Sequence, residues 1–178
     1  LKTKTLKIVR RPSGGKAVLH SGGLTYALIW RCPPRSKKES YLKTTQWLKA
    51  GFKKAGVDLF FGKQHVNNLN SNCFATSTMA DLVDKDQNKY IGSAQYWKKG
   101  HLLQHGEILM KPSTKLWKEV FNIDPPIIRN DLKGKDKVIK LLKESLIDTW
   151  SNLHYFNYEF DKKDKDLINQ IAIDNFKI

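Results

Sequence analysis

Apolar and polar positions change rhythm several times along this chain, and each change marks an element. Leu6, Ile8 and Val9 predict a first strand that fills the segment up to Arg10-Arg11. Ala17-Val18-Leu19-His20 reads as a second short strand and residues 24–30 as a third, closed by Pro33-Pro34. Tight turns lie between them at Pro12-Ser13-Gly14-Gly15-Lys16 and Ser21-Gly22-Gly23. Further on, residues 57–61, 80–83, 90–97 and 101–110 are short apolar or alternating runs. The last two are joined at Lys98-Lys99-Gly100, a hairpin signal. Asp84-Lys85-Asp86-Gln87-Asn88 is a polar turn before them.

Helical spacing appears in four places. Ser40 is positioned to cap a helix over 41–54, with Leu48 and Phe52 on one face and Gly56 as its stop. Ser113 caps a short helix carrying Leu116, Trp117 and Val120. Val138, Leu141, Leu142, Leu146, Trp150 and Leu153 form the clearest amphipathic stripe, which predicts a core-facing helix. Residues 155–160 read as a last strand, and Leu167, Ile168, Ile171 and Ala172 as a final helix docked on the sheet. Hairpin strands with a few helices make an α+β fold: a mixed, largely antiparallel sheet with helices packed on it. At 178 residues the chain is long enough for one domain with its own core, here 7–110 with trailing helices over 113–178.

Composition changes this picture in two respects. Hydrophobic residues at 40% exclude a disordered chain, and no apolar run is long enough for a membrane helix. The net charge of +15 admits an acidic partner. The excess, however, is 27 lysines spread along the chain against five arginines. A nucleic-acid groove reader favours arginine forks, so the pattern argues against nucleic acid and for a solvated basic surface that can dock an acidic protein. Cys32 and Cys73 make no disulfide framework, so free thiols in a cytoplasmic protein are expected.

Candidate chemistry concentrates in residues 72–110. Cys32, between Trp30 and Pro33, reads as a small buried hydrophobe. Cys73 follows a polar, Asn-rich loop and reads as closer to the surface. A nucleophilic cysteine needs a neighbouring cation to lower its pKa, and Lys89 can return beside Cys73 across the turn at 84–88. Gly92-Ser93-Ala94 next to Lys89 suggests a cleft where a ligand comes close. Alternation puts Leu103, His105 and Glu107 on one face of their strand and Gln104, Gly106 and Ile108 on the other. A structural histidine bonded to backbone is the plainer reading of His105, a general base the sharper one. Gly14-Gly15 reads equally as a plain turn or as a loop that lets backbone approach a ligand. His20, His65, His101 and His154 lack metal-ligand spacing.

Two motifs in the right order carry a family resemblance. Arg10-Arg11-Pro12-Ser13-Gly14-Gly15-Lys16-Ala17-Val18-Leu19-His20, followed by Leu24-Thr25-Tyr26, resembles the ligand loop of the biotin/lipoate A/B protein ligase family. Lys89-Tyr90-Ile91-Gly92-Ser93-Ala94-Gln95 with Gln104-His105-Gly106 resembles the second motif of that family. The resemblance implies a catalytic domain like that of biotin ligases and class II aminoacyl-tRNA synthetases. The family's N-terminal helix and strand have no counterpart ahead of Leu1, so N-terminal elements are expected to be missing. Cys73-Phe74 is similar to the cysteine-dependent octanoyltransferase branch, and His20-Ser21-Gly22-Gly23-Leu24 lacks the Asp and Asn of the ATP-using ligase loop.

That branch implies an acyl group carried on Cys73 from acyl carrier protein to the lysine of a lipoyl domain or of the glycine-cleavage H protein. Lys89 would then assist the thiol or polarise the thioester. Backbone N–H groups near Gly92, Ser93 and Ala94 would hold the oxyanion, and Gln95 would bind substrate. Arg10, Arg11, Ser13, Gly14, Gly15, Ala17, Val18, His20, His105 and Gly106 would bind substrate, with Ala17 and Val18 lining an acyl slot. No cofactor or metal is implied, ATP and Mg being needed only by a lipoate–protein ligase, the alternative within the family. A basic, non-catalytic binding module is the alternative outside it.

Overall fold

The computed structural model describes residues 6–62, 80–128 and 134–176. Among the described residues, five strands form one antiparallel sheet in the order β1-β5-β4-β3-β2. They are β1 (Leu24–Arg31), β2 (Phe60–Phe61), β3 (Leu82–Val83), β4 (Lys89–Lys98) and β5 (His101–Ile108). β4 and β5 form the long hairpin, and Lys99 and Gly100, both at positive φ, are the two turn residues that its right-handed twist requires. β1 lies on the far side of β5, in register from Leu24 opposite Ile108 to Arg31 opposite His101.

Helix α1 (Lys37–Lys54) covers one face of this sheet. Leu48 and Phe52 are fully buried there, with the Phe52 ring edge-on to Tyr90 and Trp47 edge-on to Tyr26. Helix α3 (Lys135–Thr149) lies behind α1, where a methyl on Gly51 would stand 2.7 Å from Leu142. Helix α2 (Thr114–Phe121) builds a second, smaller core from Trp117, Leu109 and Leu19, with Val18 and Leu6 packed on it. The N-terminal segment is thus fixed by Leu19, not by a strand.

Several expectations need correction. Residues 6–9 and 17–20 form only isolated bridges at Val9 and Ala17, because no neighbouring strand extends them. α1 begins four residues before the predicted start. Ser36 is its cap, accepting from the Glu39 N–H, and Ser40 is buried and donates to the Pro34 carbonyl. Cys32 is exposed, at φ 55, at the bend after β1. α3 ends before Leu153, which is exposed along with residues 155–160, and those form no strand. Helix α4 (Lys162–Phe176) exists but buries nothing; a hydrogen bond from the Arg10 N–H to the Phe176 carbonyl ties its end to the N-terminal segment. No described helix is long and apolar enough to cross a membrane.

Phe52 and Ile29 measure the asymmetry of the two sheet faces. Phe52 is 0% exposed and Ile29 is 79% exposed. Phe52→Ala is expected to cost about 3–5 kcal/mol and Ile29→Ala less than about 0.5 kcal/mol, read by urea denaturation.

Candidate functional site

β5 is the strand around which the site is built. Its pleat turns Gln104, Gly106 and Ile108 toward α1 and His105 and Glu107 to the opposite side. On the α1 side Gln104 closes a buried polar network. Its side-chain oxygen accepts from Thr44 Oγ1 (2.5 Å) and Gln95 Nε2 (2.8 Å), and its Nε2 donates to Tyr26 Oη (3.2 Å). Tyr26 Oη also meets Ser93 Oγ at 2.7 Å, and burial pushes the Tyr26 pKa up to about 12. This network holds Gly92, Ser93, Ala94 and Gln95 rigidly against β5. Gly106 has to be glycine, since a methyl there would collide with the Gly92 carbonyl and the Tyr26 ring.

On the other side the glycine loop lies on β5. Gly14 and Gly15 both take positive φ, and the Arg11 guanidinium folds back over Gly15 to donate to the Lys16 carbonyl at 2.8 Å. Ser13 Oγ and His105 Nε2 are 2.7 Å apart. His20 Nδ1 donates to Glu107 Oε2 at 2.6 Å. His105 is therefore bonded to a loop side chain and not to backbone. Burial, then the Arg11 and His20 charges, push its pKa below the ordinary value. The hydrogen bond that His20 donates to Glu107 raises the His20 pKa, against the opposing effects of burial and the Arg11 charge.

Lys89 sits at a register shift. Leu82 faces Ile91 but Val83 faces Lys89, so Tyr90 is an extra residue whose ring enters the core beside Ile91. The bulge takes Lys89 out of phase with Ile91 and Ser93. Its Nζ is paired with Asp81 Oδ2 at 3.0 Å, and the two side chains are only 3% and 4% exposed. Lys89 is thus held by an acid. Among the described residues no strand pairs with the outer edge of β4 beyond Ile91, where the Gln95 backbone N–H meets Tyr41.

The structure thus brings together Arg11, Ser13, Gly14, Gly15, His20, His105 and Gly106 with the segment Gly92–Gln95, whereas Lys89 pairs with Asp81. Arg10 enters through its backbone, Ala17 is exposed, and Val18 packs into the α2 core. Cys73 and Phe74 lie outside the described residues. Asp81 and Glu107 were not singled out from the sequence. Glu107 could have been, because it shares a face with His105 in a strand too regular for a solvated acid.

Residues 1–113 match the biotin/lipoate A/B protein ligase family. Octanoyltransferase LipM of Bacillus subtilis (strain 168) is 29% identical over 94% of this chain and 70% of its own length. Octanoyltransferase LipM of Lysinibacillus sphaericus (strain C3-41) is 31% identical over 80% of this chain and 56% of its own. The chain therefore spans between about half and seven tenths of these two relatives. In fold it is similar to a candidate lipoate protein ligase of T. acidophilum with bound lipoic acid, at a TM-score of 0.76 and 18% identity, over 94% of this chain and 68% of that one. It is also similar to an archaeal bi-partite lipoate protein ligase, described with its E2 lipoyl domain from Thermoplasma acidophilum, at 0.60 and 12% identity over 85% and 60%.

The Lys89–Asp81 pair has a clear energetic signature. Asp81→Ala removes the carboxylate from a buried cation and is expected to cost about 3–5 kcal/mol, most of it recovered in Asp81→Ala/Lys89→Met. Urea denaturation of the two variants checks this. A single-variant loss below about 1 kcal/mol would mean that water reaches the pair.

Proposed function

The chain belongs to the biotin/lipoate A/B protein ligase family, and we propose that within it the protein is an octanoyltransferase using Cys73 as acyl carrier. The observation that carries this reading is the agreement between relatives named octanoyltransferase and a cysteine at the position before the β3–β4 hairpin. The Cys73 thiolate attacks the thioester carbonyl of octanoyl-acyl carrier protein. The carrier's thiol leaves with a proton, and a thioester forms on Cys73. The amine of a lysine on a lipoyl domain or the glycine-cleavage H protein then attacks that thioester, forms an amide and releases the Cys73 thiol.

Lys89 supplies a fixed cation for the thiolate or the developing oxyanion, and Asp81 holds it in place. Backbone N–H groups of β4 between Gly92 and Ala94 are suited to the oxyanion because the network through Gln104 and Tyr26 makes them rigid. The glycine loop pinned on β5 is suited to cover the acyl chain. The surplus of lysines favours an acidic carrier and an acidic acceptor.

The fold neighbours favour a second reading, an ATP-dependent lipoate–protein ligase. Against it stands the loop His20-Ser21-Gly22-Gly23-Leu24, with neither the acid nor the amide of the ligase pattern.

Intact-mass measurement after mixing with octanoyl-acyl carrier protein separates the two. The expected result is a gain of one octanoyl group, absent in Cys73→Ala, whose transfer rate to a lipoyl domain falls by at least about a hundredfold. Full-rate transfer by Cys73→Ala, or pyrophosphate release from ATP and free lipoate, would decide for the ligase.

A further inference from the structure

Glu107 is a carboxylate in the middle of the sheet, only 2% exposed. Burying an ionised carboxylate is costly unless a partner holds it. Among the described residues its hydrogen-bond partner is His20, which comes from a different segment and is more than half exposed. The strand leaves no slack for this contact, since a methyl at Gly23 would collide with Glu107 and with the Ile108 carbonyl. Two residues earlier on the same face, His105 meets Ser13. Both ends of the glycine loop are therefore fastened to β5, at points about 7 Å apart along the strand.

We propose that Glu107, acting through His20, is a positioning residue that latches the glycine loop onto β5 and thereby sets the affinity for the acyl donor. The proposal rests on the octanoyltransferase reading for its choice of substrate. The two fastenings respond to pH in opposite directions. His20 faces Glu107 and Arg11, and its raised pKa means that its fastening is fully present below the ordinary 6.5 and is lost as pH rises through the raised value. His105 faces Ser13, Arg11 and His20, and its lowered pKa means that its contribution is present above 6.5 and lost as pH falls through the lowered value. The loop is held best between the two values, and the alkaline limit belongs to His20.

The test compares the full chain with Glu107→Gln, His20→Gln and the double variant, using octanoyl-acyl carrier protein as substrate. The glutamine keeps an acceptor and removes the charge. In Glu107→Gln the His20 pKa, followed by proton NMR, is expected to fall to 6.5 or below. KM at neutral pH is expected to rise about tenfold with kcat within about twofold, and the alkaline limb of the KM profile to disappear. His20→Gln matches it, and the double variant is no worse than either single one. A folded Glu107→Gln with the wild-type KM and pH profile overturns the proposal, as does a loss in kcat alone. If Glu107→Gln does not fold, His20→Gln decides by the same KM criterion. If the unaltered chain transfers no octanoate, the functional reading fails. The latch is then judged by trypsin cleavage after Lys16, expected to be about tenfold faster in Glu107→Gln and overturned by an equal rate.

Discussion

The period-two pleat of β5 is the constraint on which the site depends. One strand serves two faces, and a slip of one residue would exchange them. In the observed register Gln104 lies under α1, joined to Thr44, Gln95 and Tyr26, while His105 and Glu107 lie under the glycine loop. The register is protected from both sides. Ile108 and Leu102 need the core, and Gly106 is the position where the Gly92 carbonyl and the Tyr26 ring leave no room for a side chain. The apolar core thus fixes the placement of polar groups that it does not itself contain.

A second feature works against stability. Lys89, Asp81 and Glu107 are ionisable groups in the interior, and apolar residues of similar size would stabilise the sheet at least as well. Their presence is explained if a fixed cation and a fixed loop are required. The bulge at Tyr90 fits the same account: it lets an aromatic ring fill the core against Phe52 while the preceding residue, Lys89, carries the charge. A regular β4 would hold both residues to the alternating pattern of Ile91 to Trp97 and lose one of the two placements.

Much of this was legible in the sequence, and the misses have physical causes. Alternation located β1, β4 and β5 and correctly separated His105 from Gln104, because long half-buried strands write their faces into the chain. Helix α1 was placed correctly, but its start was not, since Ser36 and Ser40 are equally good caps in isolation and only the Pro34 carbonyl distinguishes them. Residues 155–160 alternate aromatic and polar like a strand, yet alternation supplies no partner strand, and the segment lies exposed. Cys32 looked buried beside Trp30, but the chain turns at positive φ there and carries the thiol outward. Asp81 was invisible as the partner of Lys89, because the pairing arises from a register shift that no local pattern encodes.

The distribution of acids bears on the charge. Asp81, Asp84 and Glu107 are buried. Asp81 neutralises a lysine in the interior, Asp84 accepts from the Asp86 and Asn88 N–H groups to close the turn, and Glu107 holds His20. These acids contribute little to the field outside the protein, whereas most lysines stand in water. Among the described residues, the buried ions are three acids and one lysine, so burial tips the balance of surface charge there further toward basic. The acids that shape the interior therefore also sharpen the attraction of the surface for an acidic protein, and a single set of side chains links the order of the site to the choice of what approaches it.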